Sequence, residues 1–154
     1  METPSHLVFL IPVAAFLVFG PAIWIFVCVV LSVLGGWRAL AQVYRSTLPP
    51  SFPPPRNLWK FQSARFRWGT NYNGILTVGA DDAGLHLSVF FLFKAGHPPL
   101  LIPWRDITAV AYRGLLFSGR TLSFARAPGV TITVREPLAR SIAAAAGAAW
   151  PGRG

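Results

Sequence analysis

The sequence predicts an α+β protein. One N-terminal transmembrane helix precedes a mainly-β domain of about seven antiparallel strands in a sandwich or partly open barrel, with one C-terminal helix. Three observations predict this fold class: residues 7–34 carry no charge, strand-like runs recur between residues 58 and 135, and apolar residues take helical spacing after Glu136. The length of 154 residues suits one domain of about 100 residues plus an appendage.

The composition points to a membrane. Hydrophobic residues make up 53% and charged residues 12% of the chain, whereas about 25% of a soluble domain is charged. The mean hydropathy of +0.50 argues against an ordinary soluble protein and against intrinsic disorder. The single cysteine, Cys28, excludes an intrachain disulfide framework or a cysteine zinc cluster.

The uncharged run predicts a retained anchor. A helix of about 20 apolar residues crosses a bilayer core, so we expect a transmembrane helix over residues 7–36 after a short extracytoplasmic N-terminus, residues 1–6. Gly20-Pro21 predicts a kink; a re-entrant hairpin broken at this pair is the alternative, and its arms would leave backbone groups unsatisfied in lipid. A cleaved signal peptide is disfavoured because residues 1–6 lack Lys and Arg and no A-x-A site follows the run.

The charges predict the orientation. All fourteen Lys and Arg residues follow position 37, against five acidic residues and a net charge of +9. The positive-inside rule therefore places the N-terminus outside and everything after Trp37 in the cytoplasm.

A short helix and a linker are expected next. Residues 37–46 predict a juxtamembrane helix whose Trp37 and Tyr44 lie at the membrane interface while Arg38 and Arg45 reach the headgroups. Residues 47–57 contain five prolines, which predict a semi-rigid linker; a PxxP-type ligand for another protein is the alternative.

Residues 58–154 predict the cytoplasmic domain. Asn73-Gly74 predicts a hairpin turn, and strict alternation predicts one strand through Leu85–Phe93. Phe90 and Leu92 would face away from the buried side of that strand. Either the second sheet or the C-terminal helix covers them, which we favour, or they form an exposed patch. Glu136-Pro137 opens the final helix.

A resemblance supports this order of elements. The turn and strand GLHLS, the block PPLLIPWRDITAV, the amphipathic strand VTITV and the helix from Pro137 resemble the pleckstrin-homology superfold in its bacterial PH-like and GRAM-like variants, over residues 58–150. Ile102, Pro103, Trp104, Asp106 and Ile107 resemble the strand end where the first sheet of those families crosses to the second. The resemblance implies a small single-span protein of the bacterial inner membrane and little chemistry.

No catalytic or metal-binding pattern is found. His6, His86, His97 and Cys28 are scattered in the sequence, whereas a zinc site needs three or four ligands. Ser88 and His86 share a strand face, with Asp82 nearby, yet no elbow or oxyanion loop surrounds Ser88. We therefore predict no enzyme, no metal and no cofactor.

The excess of basic over acidic residues predicts the function. We expect a membrane-anchored PH-like binding or scaffold module that contacts anionic lipid or a membrane protein partner. A non-catalytic accessory subunit of a larger membrane complex is the alternative. Nucleic-acid binding is not expected, and homo-oligomerisation stays open. The predicted membrane-interface residues are Trp37, Arg38, Tyr44, Arg45, Arg56, Lys60, Arg65 and Arg67, and the predicted docking patch is Phe90, Leu92 and Lys94.

Overall fold

The computed structural model describes residues 5–47 and 54–152, with side chains from Leu10 onward. Its first element is one continuous helix, α1, over Ser5–Leu34. The helix runs through Gly20-Pro21 without interruption, so the single-helix prediction is confirmed and the broken hairpin is wrong. Leu10–Leu34 has the length and composition of a membrane span, criteria that a signal sequence also meets.

A glycine ends α1 and allows the chain to turn. Gly36 has φ +83°, a left-handed conformation that glycine adopts without the steric penalty of a Cβ. A second helix, α2, follows over Trp37–Tyr44. Immediately after α2, Arg45 pairs with Leu100 as an isolated antiparallel bridge. Most of the predicted linker, residues 48–53, lies outside the described residues.

Seven antiparallel strands form one curled sheet, a half-barrel. They are β1 Asn57–Arg65, β2 Asn71–Ala80, β3 Leu85–Val89, β4 Leu100–Ile102, β5 Ile107–Arg113, β6 Ser118–Phe124 and β7 Thr131–Arg135. The spatial order is β4-β3-β2-β1-β7-β6-β5. Helix α3, Glu136–Ala146, then packs against β2, β6 and β7. The predicted α+β fold class is confirmed.

The hydrophobic core includes α2. The concave side of the sheet buries alternating residues such as Leu76, Val78 and Leu122, and α3 contributes Leu138 and Ile142. The same cluster contains three side chains of α2, namely Trp37, Leu40 and Tyr44. The packed unit therefore begins at residue 37 rather than at residue 58, because α2 supplies part of its core.

Two local predictions are wrong. Asn73-Gly74 lies inside β2, and the β1–β2 connection instead turns through a short 3₁₀ segment, Arg67–Gly69. Gly74 has φ +66° and its N–H donates to Ser63 Oγ at 2.8 Å, where the register of β1 and β2 shifts. Asn73-Gly74, whose glycine adopts a positive φ, therefore forms a bulge in β2 instead of a hairpin turn. The strand predicted through Phe93 ends at Val89, and Phe91–Phe93 forms a 3₁₀ turn.

Candidate membrane-contacting site

The last third of α1 packs against the β-domain. Cys28 and Ser32 lie four residues apart on α1 and are buried, so they share one face of the helix. Gly35, just after the end of α1, is buried as well. Ser32 Oγ donates a hydrogen bond to the Gly96 carbonyl. A Cβ at Gly96 would lie 3.2 Å from Val29 Cα, which shows how closely the segment between β3 and β4 approaches the helix. The small residues on both sides permit this contact.

Three connections of the half-barrel meet at the junction of α1 and α2. A Cβ added at Gly35 would lie 3.3 Å from Thr70 Cγ2 in the β1–β2 connection, and one added at Gly36 would lie 2.8 Å from Val130 Cγ2 in the β6–β7 connection. Ser32 is hydrogen-bonded to Gly96 in the β3–β4 connection. The end of the half-barrel where these connections gather is therefore covered by the protein's own helices.

A buried polar cluster lies beneath this junction. His97 Nδ1 lies 3.0 Å from the Ala95 carbonyl, which only accepts, so Nδ1 carries the proton in the neutral ring. His97 Nε2 then accepts from the Tyr72 hydroxyl at 2.8 Å. Trp37 Nε1 donates to the Pro98 carbonyl at 2.9 Å, and its ring centroid lies 5.3 Å from that of His97. The cluster ties α2 and β2 to the β3–β4 connection.

Burial shifts both titrating groups of this cluster toward their neutral forms. Desolvation lowers the pKa of His97, against hydrogen bonds to carbonyls that raise it, and desolvation raises the pKa of Tyr72. The neutral imidazole and the neutral phenol are the states that their mutual hydrogen bond requires.

We expect acid to destabilise this packing. The unfolded chain takes up the His97 proton near about pH 6.5, and the folded chain does so only at lower pH. The stability that neutral His97 contributes is therefore present above about pH 6.5 and is lost as the pH falls through the folded pKa. Thermal unfolding in detergent micelles at about pH 7.5 and about pH 5 should show a drop in midpoint that shrinks in His97→Gln.

The matched control is His86→Gln, because His86 lies on β3 with its Nε2 2.8 Å from Asp81 Oδ2. The charged side chains that line the cleft beside His97 are Arg45 and Lys94. A full acid drop in His97→Gln, or its disappearance in His86→Gln, would contradict the assignment.

A basic cleft opens beside the cluster. Arg45, Lys94, Ser88 and His97 line an open cleft of about 410 Å³ with Pro98 and Pro99. Arg45 and Lys94 are exposed, and no ion pair to either exists within residues 5–47 and 54–152. Two cations and a hydroxyl are suited to an anionic oxygen ligand such as a phosphate.

The structure separates the predicted membrane-interface residues. Trp37 and Tyr44 are buried in the core, so their expected placement among headgroups is wrong; their amphipathic rings suit a core with polar partners equally well. Arg45 lines the basic cleft, and Arg38 is exposed at the start of α2. Arg56 pairs with Asp82 at 3.0 Å, at the end of β1 that is about 30 Å from the connection touching α1.

The other three predicted interface residues lie on β1 or just after it. Lys60 and Arg65 are exposed, and the guanidinium of Arg65 lies 5.5 Å from the ring centroid of Phe117. Arg67 lies in the β1–β2 connection, where it contacts the ring of Trp68 at 5.0 Å. These cations are spread along the strand and do not converge on one site.

The predicted docking patch is exposed. Phe90 and Leu92 are 36% and 52% exposed, so the favoured prediction that a sheet or α3 covers them is wrong. Strand β3 ends at Val89, so the alternation of faces stops there. In the 3₁₀ turn that follows, Leu92 points outward while Phe93 packs against the core. Phe61 and Phe91, which the sequence reasoning missed, are exposed beside them at 67% and 64%.

His86 and Ser88 of β3 have different neighbours. His86 pairs with Asp81, whose Oδ1 also accepts from the backbone N–H groups of Ala83 and Gly84. Ser88 lines the basic cleft, and among the described residues no hydrogen bond joins it to His86. The described part of the chain also holds no group of three His, Cys, Asp or Glu residues that could bind a metal.

Comparisons with models of protein families, with curated proteins and with solved structures found no match.

Proposed function

We propose that this protein is a membrane-anchored binding module with a PH-like domain at the cytoplasmic face of a bacterial inner membrane. The domain contacts anionic lipid and performs no catalysis. One observation carries the proposal: the described part of α1 exposes large apolar side chains from Leu10 to Leu34, and in its last third it buries Cys28 and Ser32 against the β-domain. A 30-residue helix measures about 45 Å, long enough to cross the hydrocarbon and still contact the domain.

The packing of α1 favours a retained anchor over a cleaved signal sequence. Helix α1 contacts Tyr72 of the Tyr72–His97 cluster and also contacts Gly96. Removal of α1 would therefore expose this cluster and the side of Gly96 that faces the helix. A buried polar cluster that loses its cover is destabilised. A segment that completes the domain in this way is expected to remain in the mature protein.

The positive charge favours anionic lipid as the ligand. Each Lys or Arg near an anionic leaflet contributes about 1 kcal/mol to binding. Arg45 and Lys94 lie in one cleft next to the segment that touches α1, and the four described carboxylates, Asp81, Asp82, Asp106 and Glu136, pair with other partners. The two cleft cations are therefore left to interact with headgroup phosphates.

We expect Arg45→Gln/Lys94→Gln to retain less anionic phospholipid than the wild-type protein. The full chain, extracted from membranes in mild detergent, is offered phosphatidylglycerol and phosphatidylcholine, and the lipid that stays bound is counted by native mass spectrometry. Loss of two contributions of about 1 kcal/mol each predicts a roughly thirtyfold fall in the preference for phosphatidylglycerol.

The control variant is Arg105→Gln/Arg113→Gln, which removes the same charge from two exposed residues of the β5 region. It should keep the wild-type preference. Equal loss in both variants would show that net charge alone attracts the lipid. Release of the wild-type chain from membranes by alkaline carbonate would contradict the anchor itself.

A further inference from the structure

Four exposed apolar side chains form one patch beside α1. We define the phenylalanine patch as Phe61, Phe90, Phe91 and Leu92. The ring centroids of Phe61 and Phe90 are 6.2 Å apart, and those of Phe90 and Phe91 are 4.5 Å apart. All four side chains are at least 36% exposed. Phe61 is held outward by a left-handed backbone, φ +56°, at a register shift of β1, a conformation that is strained in a non-glycine residue.

The patch is joined to the apolar surface of α1. Trp24 Nε1 donates to the Leu92 carbonyl at 2.8 Å, and the Trp24 ring lies 5.1 Å from that of Phe93. Leu92 also lines an open apolar groove along α1 that includes Phe16 and Gly20. The exposed face of the helix therefore continues onto the domain without a polar interruption.

The contacts fix how far along α1 the patch lies. Along the axis of α1, Leu92 lies at the height of Trp24 and Gly96 lies at the height of Ser32, because these residues are joined in pairs by hydrogen bonds. Trp24 is ten residues before Leu34, the last residue of α1, which corresponds to about 15 Å. A membrane whose acyl chains extended to Leu34 would submerge the patch by about 15 Å and take Lys94 with it. A membrane that ended before Trp24 would leave the whole patch in water.

We propose that the phenylalanine patch inserts into the acyl chains of the leaflet next to the domain, so that the lower boundary of the hydrocarbon lies on α1 between Trp24 and Ser32. Interfacial apolar segments insert about 5–10 Å, and that depth places the boundary three to seven residues below Trp24. Lys94, two residues after Leu92 in the chain, then reaches the headgroup layer. The occupant is lipid because the patch continues the exposed apolar surface of α1, which the proposed anchor places among acyl chains.

This inference rests on the proposed membrane anchor and is tested by labels at three depths. In a Cys28→Ser background, single cysteines are introduced as Phe91→Cys, Phe16→Cys and Leu116→Cys, spin-labelled, and the full chain is reconstituted in phosphatidylglycerol/phosphatidylcholine vesicles. Power saturation compares collisions with oxygen, which partitions into lipid, with collisions with a water-soluble nickel chelate. Leu116 is the matched control because it is 88% exposed in the β5–β6 connection.

We expect the label at Phe91 to resemble that at Phe16, with oxygen accessible and nickel excluded, while Leu116 stays accessible to nickel. Nickel access at Phe91 equal to that at Leu116, with Phe16 still shielded, would overturn the inserted patch and leave the anchor intact. Nickel access at Phe16 would overturn both. A Phe91 label shielded from oxygen and nickel alike would show a protein partner or second copy on the patch, and would also overturn the inference.

Discussion

Trp37→Ala is expected to cost the β-domain a large share of its stability. The Trp37 side chain is fully buried, contacts the rings of Phe66, Tyr72 and His97, and donates to the Pro98 carbonyl. Truncating a buried Trp to Ala costs about 3–5 kcal/mol, and a domain of this size has about 5–15 kcal/mol of stability in total. Near-ultraviolet circular dichroism during thermal unfolding in micelles should show a much lower midpoint.

The same result is expected from removing α2 altogether. Residues 58–154 alone would lack Trp37, Leu40 and Tyr44, all three of which belong to the core. The control is Trp68→Ala, because Trp68 is 82% exposed and its ring loses a contact with Arg67, which is worth about 0.5–1 kcal/mol at an exposed site. Comparable losses in Trp37→Ala and Trp68→Ala would contradict the placement of α2 in the core.

Gly36→Ala is expected to have the second largest effect. Gly36 has φ +83°, and a Cβ there would lie 2.8 Å from Val130 Cγ2. A left-handed non-glycine residue costs about 1–2 kcal/mol, and overpacking a core adds about 1–3 kcal/mol. We therefore expect a loss of about 2–5 kcal/mol in the free energy of unfolding, measured by denaturant titration in micelles.

Gly69→Ala separates the two contributions. Gly69 has a similar φ of +77°, and nothing lies within 4 Å of its added Cβ, so this variant carries the conformational penalty alone. It should lose about 1–2 kcal/mol. If Gly36→Ala were no more destabilised than Gly69→Ala, the close contact between the α1–α2 turn and Val130 would be contradicted.

The sequence was sufficient to predict the helices and strands, but it was insufficient to predict which residues of different elements contact one another. The seven strands and the two shorter helices follow from local periodicity, because alternation in a run such as Thr131–Arg135 is typical of a strand with one buried face. Helix α1 follows from the length of its uncharged run. The Asn73-Gly74 hairpin prediction failed because a positive φ serves a bulge as well as a turn. The connection that does turn, Arg67–Gly69, has no comparable signal beyond its glycine.

The candidate site was less accessible to sequence reasoning. The apolar stripe of α2 predicted a helix with Trp37 and Tyr44 on one face, but aromatic residues with a polar edge are equally suited to a membrane interface and to a core with hydrogen-bond acceptors. Only the tertiary contacts decide between them. Trp24, Ser32 and His97 gave no signal at all, because their hydrogen bonds join residues more than twenty positions apart or depend on the fold of the β3–β4 connection.

The hydrogen bonds between α1 and the half-barrel have a mechanical consequence. Transmembrane helices tilt when the bilayer becomes thinner or thicker than their apolar length. Trp24 and Ser32, two turns apart along α1, are both bonded to the same connection of the half-barrel, and such a pair of bonds leaves no hinge between them. For the membrane anchor proposed above, a change in bilayer thickness that tilts α1 would therefore tilt the whole sheet through the same angle, and the face that the sheet presents to other molecules would turn with it.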